Sequence, residues 1–228
     1  MILINLKNGP KYLIFMASKC GCGTLWTLLS KYLPYCRMNI NDYRGQYGCI
    51  EFLDKNRPHE DFFIHAGPNQ GLPLLAKKID LTKFKKVGFV RKHIDRLLSI
   101  YKFDTLDNTF NEKSSPQYNP KSSKPSFNEY LIHIKNGNFY NNTHYNLDRY
   151  YLNENKELMV DELYDFHNFN SEITRLFLEL GININPNDIP RIHETEKKTI
   201  EYDATLVEES IIYDKYIMIK NNNIIYSL

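Results

Sequence analysis

Short, nearly continuous apolar runs alternate along this chain with stretches whose apolar residues recur at helical spacing, and that alternation leaves few folds open. "YLIFMA" (Tyr12–Ala17) reads as a buried strand, followed by a helix from Thr24 to Leu33 that Pro34 ends. "DFFIHAG" (Asp61–Gly67) reads as a second strand, with a short helix after it around Leu72–Lys78. "KVGFVRK" (Lys86–Lys92) reads as a third, followed by the amphipathic "IDRLLSIYKF" (Ile94–Phe103). Strands this apolar have both faces covered, so the pattern predicts an α/β fold with a mainly parallel central sheet flanked by helices.

From Asp104 to Pro125, Asn, Ser, Pro and Lys crowd together without periodicity, and residues 104–125 read as one long loop. Ser126 then opens a helix in "SFNEYLIHIK", where Glu129 completes a capping-box pattern. "KELMVDEL" holds a candidate fourth strand, and "NSEITRLFLELG" a helix closed by Gly181. A helix around Leu206–Tyr216 and a hairpin in "IMIKNNNIIY" complete the reading. No repeat divides the chain, and residues 1–228 are expected to form a single domain.

Composition bounds what such a domain does. With 228 residues, 42% of them hydrophobic, the chain can bury one full core without disulfides or a structural metal. A net charge of +2 is too balanced for a nucleic-acid or membrane-surface protein, and no nucleic-acid partner is expected. Cys20, Cys22, Cys36 and Cys49 all fall in the first quarter, with no second set to pair across the fold. Their irregular spacing is unlike a zinc site, so reduced thiols and no metal are expected. The N-terminal apolar pieces are interrupted by Asn, Lys, Gly and Pro and form neither a signal core nor a membrane span. The expectation is a soluble, cytoplasmic protein.

One turn stands out. "ASKCGCGTLW" (Ala17–Trp26) joins the first strand to its helix, where backbone N–H groups unpaired by the helix converge and attract anions. Gly21 and Gly23 allow positive φ and a close approach to the main chain, Thr24 adds a hydroxyl, and Lys19 adds a charge. The plainer reading is a glycine-rich connection with a solvated lysine. The triphosphatase P-loop needs lysine directly before the hydroxyl residue, whereas Gly23 precedes Thr24 here. A second segment, "VGFVRKHIDRLLSIYKF", ends a strand with Arg91 and places Ser99 about two helical turns later, a pair suited to holding a phosphate.

With Lys19-x-Gly21-x-x-Thr24 after one strand and "VRKHIDRLLSIYK" after another, the chain resembles the sulfotransferases that use 3′-phosphoadenosine 5′-phosphosulfate, above all their carbohydrate (Golgi-type, family 2) branch. That family has a lysine- and glycine-containing loop for the 5′-phosphosulfate and an "RDPxxRxxSxY" segment for the 3′-phosphate. "SFNEYL" and "NNTHYNLD" are weaker echoes. Gly23 stands where the family has a second hydroxyl residue, and Lys92-His93 where it has Asp-Pro. The resemblance implies a P-loop-like three-layer fold. It assigns Lys19, Gly21, Cys22, Gly23, Thr24 and Leu25 to the 5′ side of the co-substrate, and Arg91 and Ser99 to the 3′-phosphate.

Sulfuryl transfer is mainly positioning and charge stabilisation, and requires no metal in principle. Lys19 is the candidate to neutralise the departing phosphate. His65, ending the second expected strand, is the candidate base for a hydroxyl acceptor, taken to be a saccharide; it reads equally as a structural histidine. His144 is the alternative, with acceptor binding as its other role. Arg96 and Lys102 read either as added positive field or, more plainly, as a solvated helix face, Lys197-Lys198 as a polar stretch able to close over the nucleotide, and Trp26 as packing. The competing readings are a P-loop-type nucleotide or small-molecule kinase and a non-catalytic nucleotide-binding module.

Overall fold

The computed structural model describes residues 2–17, 19–33, 35–39, 48–52, 72–73, 75–77, 79–106, 125–136, 151–153, 155, 157–190, 200–210, 217–220 and 223–226. Strands β1 (Ile2–Asn5) and β2 (Lys11–Met16) form a hairpin with Ile2 opposite Ile14 and Asn5 opposite Lys11. With β3 (Tyr35–Asn39), β4 (Gly48–Phe52), β5 (Lys85–Val90) and β6 (Glu162–Asp165) they make a six-stranded sheet in the order β3-β4-β1-β2-β5-β6. β2, β5 and β6 run parallel, as do β1 and β4, while β1–β2 and β3–β4 are antiparallel. The fold is mixed α/β with a mostly parallel sheet. β7 (Ile217–Lys220) and β8 (Asn223–Tyr226) form the separate hairpin expected from "IMIKNNNIIY".

The apolar runs explain the sheet's centre. Tyr12 to Met16 are all buried, as are Val87 to Val90, which is what a strand covered on both faces requires. Each fully buried aliphatic or aromatic side chain here, such as Leu13, Ile14 or Phe15, contributes about 1.5–3 kcal/mol relative to exposure. Helix α1 (Cys22–Tyr32) packs Leu25, Leu28 and Leu29 into the same core, with Trp26 against it. Leu33 is extended at φ −126° and ψ 134°, as the residue before Pro34 must be to avoid the proline ring.

Helices α2 (His93–Leu106) and α3 (Phe127–Lys135) share a second apolar cluster of Leu97, Ile100, Phe127, Tyr130, Leu131 and Ile134, joined by Leu206 and Val207 of α5 (Ala204–Glu209). The capping box at Ser126 and Glu129 forms as its spacing predicts. Helix α4 (Phe169–Glu179) ends in a Schellman motif: Ile182 N donates to Phe177 O, Gly181 N donates to Leu178 O, and Gly181 takes a φ of 76°.

Several boundaries differ from the sequence reading. β1, β3 and β4 were not expected, because runs of four or five residues broken by Asn, Arg or Glu carry little periodic signal. "KELMVDEL" contributes only its last two residues to β6; Leu158 instead makes an isolated bridge with Leu152. α2 continues to Leu106, so the long loop does not begin at Asp104. The expected strand Asp61–Gly67 lies outside the described residues, as do residues 211–216 of the expected C-terminal helix. No helix among the described residues is long and apolar enough to cross a membrane.

Candidate functional site

After β2 the chain runs through α1 to β3 and β4, on the β1 side of the sheet. After β5 it runs to β6, on the other side. The two connections therefore part at the carboxyl ends of neighbouring parallel strands, the switch point where α/β folds bind ligands. The segments that leave this point are Ala17–Gly21 and Arg91–Lys92, the two singled out in the sequence.

The first is a tight turn. Cys20 N donates to Ala17 O at 3.3 Å, and Lys19 and Gly21 both adopt left-handed backbone, with φ of 67° and 85°. Gly21 is the N-cap of α1, and Leu25 N makes the first bond of that helix, to Gly21 O at 3.0 Å. The amides of Cys22, Gly23 and Thr24 precede the first backbone bond of the helix and carry the positive end of its dipole. Gly21 is required for two reasons. Its φ disfavours a side chain, and a Cβ there would stand 2.6 Å from Phe169 Cε2 and 2.7 Å from Phe166 Cε2. Gly23, by contrast, is the second residue of α1 and is not among the described positive-φ glycines.

Arg91 completes the arrangement from β5. Its Nη1 donates to the Lys19 carbonyl at 3.1 Å, and its guanidinium lies over the Phe166 ring, 4.8 Å from the centroid. Burial lowers its pKa, an effect that Arg96 reinforces and Cys20 and Asp95 oppose. The group stays charged, and among the described residues that bond to Lys19 is its only one.

The other candidate residues stand in differing surroundings. Leu25 is fully buried in the core and its amide is spent on Gly21, so it offers an anion nothing. Arg96, expected on a solvated face, has no exposed surface; it lies in the first turn of α2 beside Arg91. Ser99, three residues further along α2 and half-buried, shares its side of the helix. Thr24 is buried, with 8% exposure. Cys20 and Cys22 are reduced thiols, and burial pushes the Cys22 thiol up to about 11 despite its place at a helix N-terminus. His65, His144 and Lys197-Lys198 lie outside the described residues.

Phe166, Phe169 and Tyr151 also build the site, and sequence reasoning passed over them. Phe166 follows Asp165 at the end of β6, whose register with Val90 brings it beside Arg91. A strand placed correctly at Glu162–Asp165 could have found it. Nothing in the sequence around Tyr151 marks its role. No protein-family model, curated protein or solved structure matches the chain.

Proposed function

We propose that the chain is a sulfotransferase that moves a sulfuryl group from 3′-phosphoadenosine 5′-phosphosulfate to a hydroxyl acceptor, with saccharides the first class to try. The observation that carries this reading is the Arg91–Lys19 hydrogen bond, which makes the two anion-binding segments neighbours at one switch point. A single ligand carrying negative groups at two ends has both within reach there. The P-loop-like three-layer arrangement belongs to the same reading.

In this mechanism the acceptor oxygen attacks sulfur as the bond from sulfur to the 5′-phosphate oxygen breaks, and 3′,5′-bisphosphoadenosine leaves. The Cys22, Gly23 and Thr24 amides and the Lys19 ammonium take up the charge that develops on the departing phosphate. Arg91, with Ser99, holds the 3′-phosphate through a charged fork. The acceptor proton passes to a base, for which His65 is the first candidate and His144 the second. The chemistry needs no metal in principle.

The test is a thermal-shift and calorimetric comparison of 3′,5′-bisphosphoadenosine without metal against ATP with magnesium, followed by transfer of labelled sulfate to a panel of hydroxyl compounds. Preference for the bisphosphate together with labelled product supports the proposal. Preference for ATP with magnesium turns it into a kinase, and bisphosphate binding without transfer to any acceptor leaves a binding module.

A further inference from the structure

We infer that Tyr151 is a positioning residue for the Ala17–Gly21 turn, its hydroxyl set between the last amide and carbonyl that β2 and β5 turn toward each other; its functional consequence rests on reading that turn as the donor-anion site. Tyr151 is fully buried. Its Oη accepts from Ala17 N at 3.0 Å and donates to Phe89 O at 2.6 Å, with Phe15 O 3.4 Å away. The register that pairs Met16 with Phe89 aims Ala17 N at the Phe89 carbonyl. The hydroxyl therefore bridges the groups of the final rung at the point where the strands separate. The ring has room because residue 88 is glycine: a Cβ there would stand 2.5 Å from Tyr151 Cε1.

The position of that hydroxyl decides the shape of the turn. Ala17 is the pivot, since its carbonyl accepts from Cys20 N and, at 3.5 Å, from Cys22 Sγ. Holding the Ala17 amide fixes the direction in which the chain departs toward Lys19, and so where the α1 amides point. Without the hydroxyl, Ala17 N and Phe89 O either close on each other, moving the turn toward β5, or stay buried and unsatisfied. Either outcome displaces amides that an anion would need in place.

The experiment uses the full chain with Tyr151→Phe, and with Leu152→Ala as a control that removes a neighbouring buried side chain outside the turn. Hydrogen exchange of peptides covering residues 17–24 is read first, then bisphosphate affinity by calorimetry. Tyr151→Phe is expected to speed exchange of the turn at least tenfold and to weaken bisphosphate binding at least tenfold, with both near wild type in Leu152→Ala. Unchanged turn exchange in Tyr151→Phe, or equal changes in the control, overturns the inference. If Tyr151→Phe does not fold, Gly88→Ala displaces the ring from the strand side, and normal turn exchange in that variant overturns it equally. A wild-type chain that ignores the bisphosphate sinks the donor-site reading, while the exchange data still decide the role of Tyr151.

Discussion

Arg91 and Lys19 meet through a side chain and a backbone carbonyl, Nη1 to O at 3.1 Å, across 72 positions of sequence. The contact depends on the left-handed backbone of Lys19 and on the parallel register of β2 and β5. It also uses only one edge of a guanidinium that Phe166 holds by its face. A fork fixed in this way is pre-oriented for a phosphate.

Arg91→Ala is therefore expected to weaken 3′,5′-bisphosphoadenosine binding roughly 10- to 100-fold, the range for one lost charge-assisted fork. Arg91→Lys should recover little, because a point charge cannot both stack on Phe166 and reach Lys19 O. Calorimetry on both variants checks this. Wild-type affinity in either removes Arg91 from the anion site.

Lys19 combines a charge with an unfavourable φ of 67°. Lys19→Ala and Lys19→Gly should both abolish sulfate transfer, yet differ in stability. Glycine relieves the left-handed backbone while loosening the unfolded chain, so Lys19→Gly should be the more stable of the two by up to about 1 kcal/mol. Chemical denaturation measures the difference, and a more stable alanine variant would contradict the backbone assignment.

At Gly21 the φ of 85° and the closeness of Phe166 and Phe169 act together. Gly21→Ala should cost on the order of 2–4 kcal/mol, the sum of a strained backbone and an overpacked contact with two rings. Thermal unfolding tests it. A loss under about 1 kcal/mol would mean that the rings yield easily.

Much of this was legible in the sequence because it depends on local rules. The apolar runs of β2 and β5, the Ser126–Glu129 box and the Gly181 helix end all follow from patterns a few residues long. Also legible was the place of the glycine-containing turn and of Arg91 at the ends of β2 and β5. The remaining features depend on contacts between distant residues. The burial of Arg96 depends on what packs around the first turn of α2, and the place of Tyr151 depends on Gly88 and on two strands that diverge. Leu25 entered the candidate set through the family resemblance alone; because α1 begins at Cys22, its amide is committed to the Gly21 carbonyl.

Away from the site, Glu162 joins β6 to its surroundings through Lys85 at 2.8 Å and Arg175 at 2.7 Å. Burial alone would raise its pKa, but these two donors outweigh burial and hold it below the usual value. A lowered folded-state pKa means stability that is present above the ordinary glutamate range and lost as pH falls through the folded value. Nearby Glu172, which burial pushes up, has the opposite dependence, so the comparison must be with Glu162→Gln. Wild type should exceed that variant by about 1 kcal/mol at pH 7, after solvent screening, and the gap should close as pH falls below the ordinary glutamate range. A gap independent of pH would show that charge is not its source.

Cys22 makes the opposite prediction at the alkaline end, at the first residue of α1. Burial raises its thiol from 9.0 to about 11, outweighing the neighbouring amides and Lys19. Here the folded pKa lies above the unfolded one, so the stabilisation is complete below pH 9 and disappears as pH rises toward 11. Relative to Cys22→Ser, wild type should lose at most about 3 kcal/mol across that interval. The same shift extends the neutral range of the group into alkaline pH, beyond which a thiolate would repel the anion the turn is proposed to hold. Bisphosphate affinity should therefore fall more steeply above pH 9 in wild type than in Cys22→Ser. Parallel pH profiles would show that the thiol does not face the bound anion.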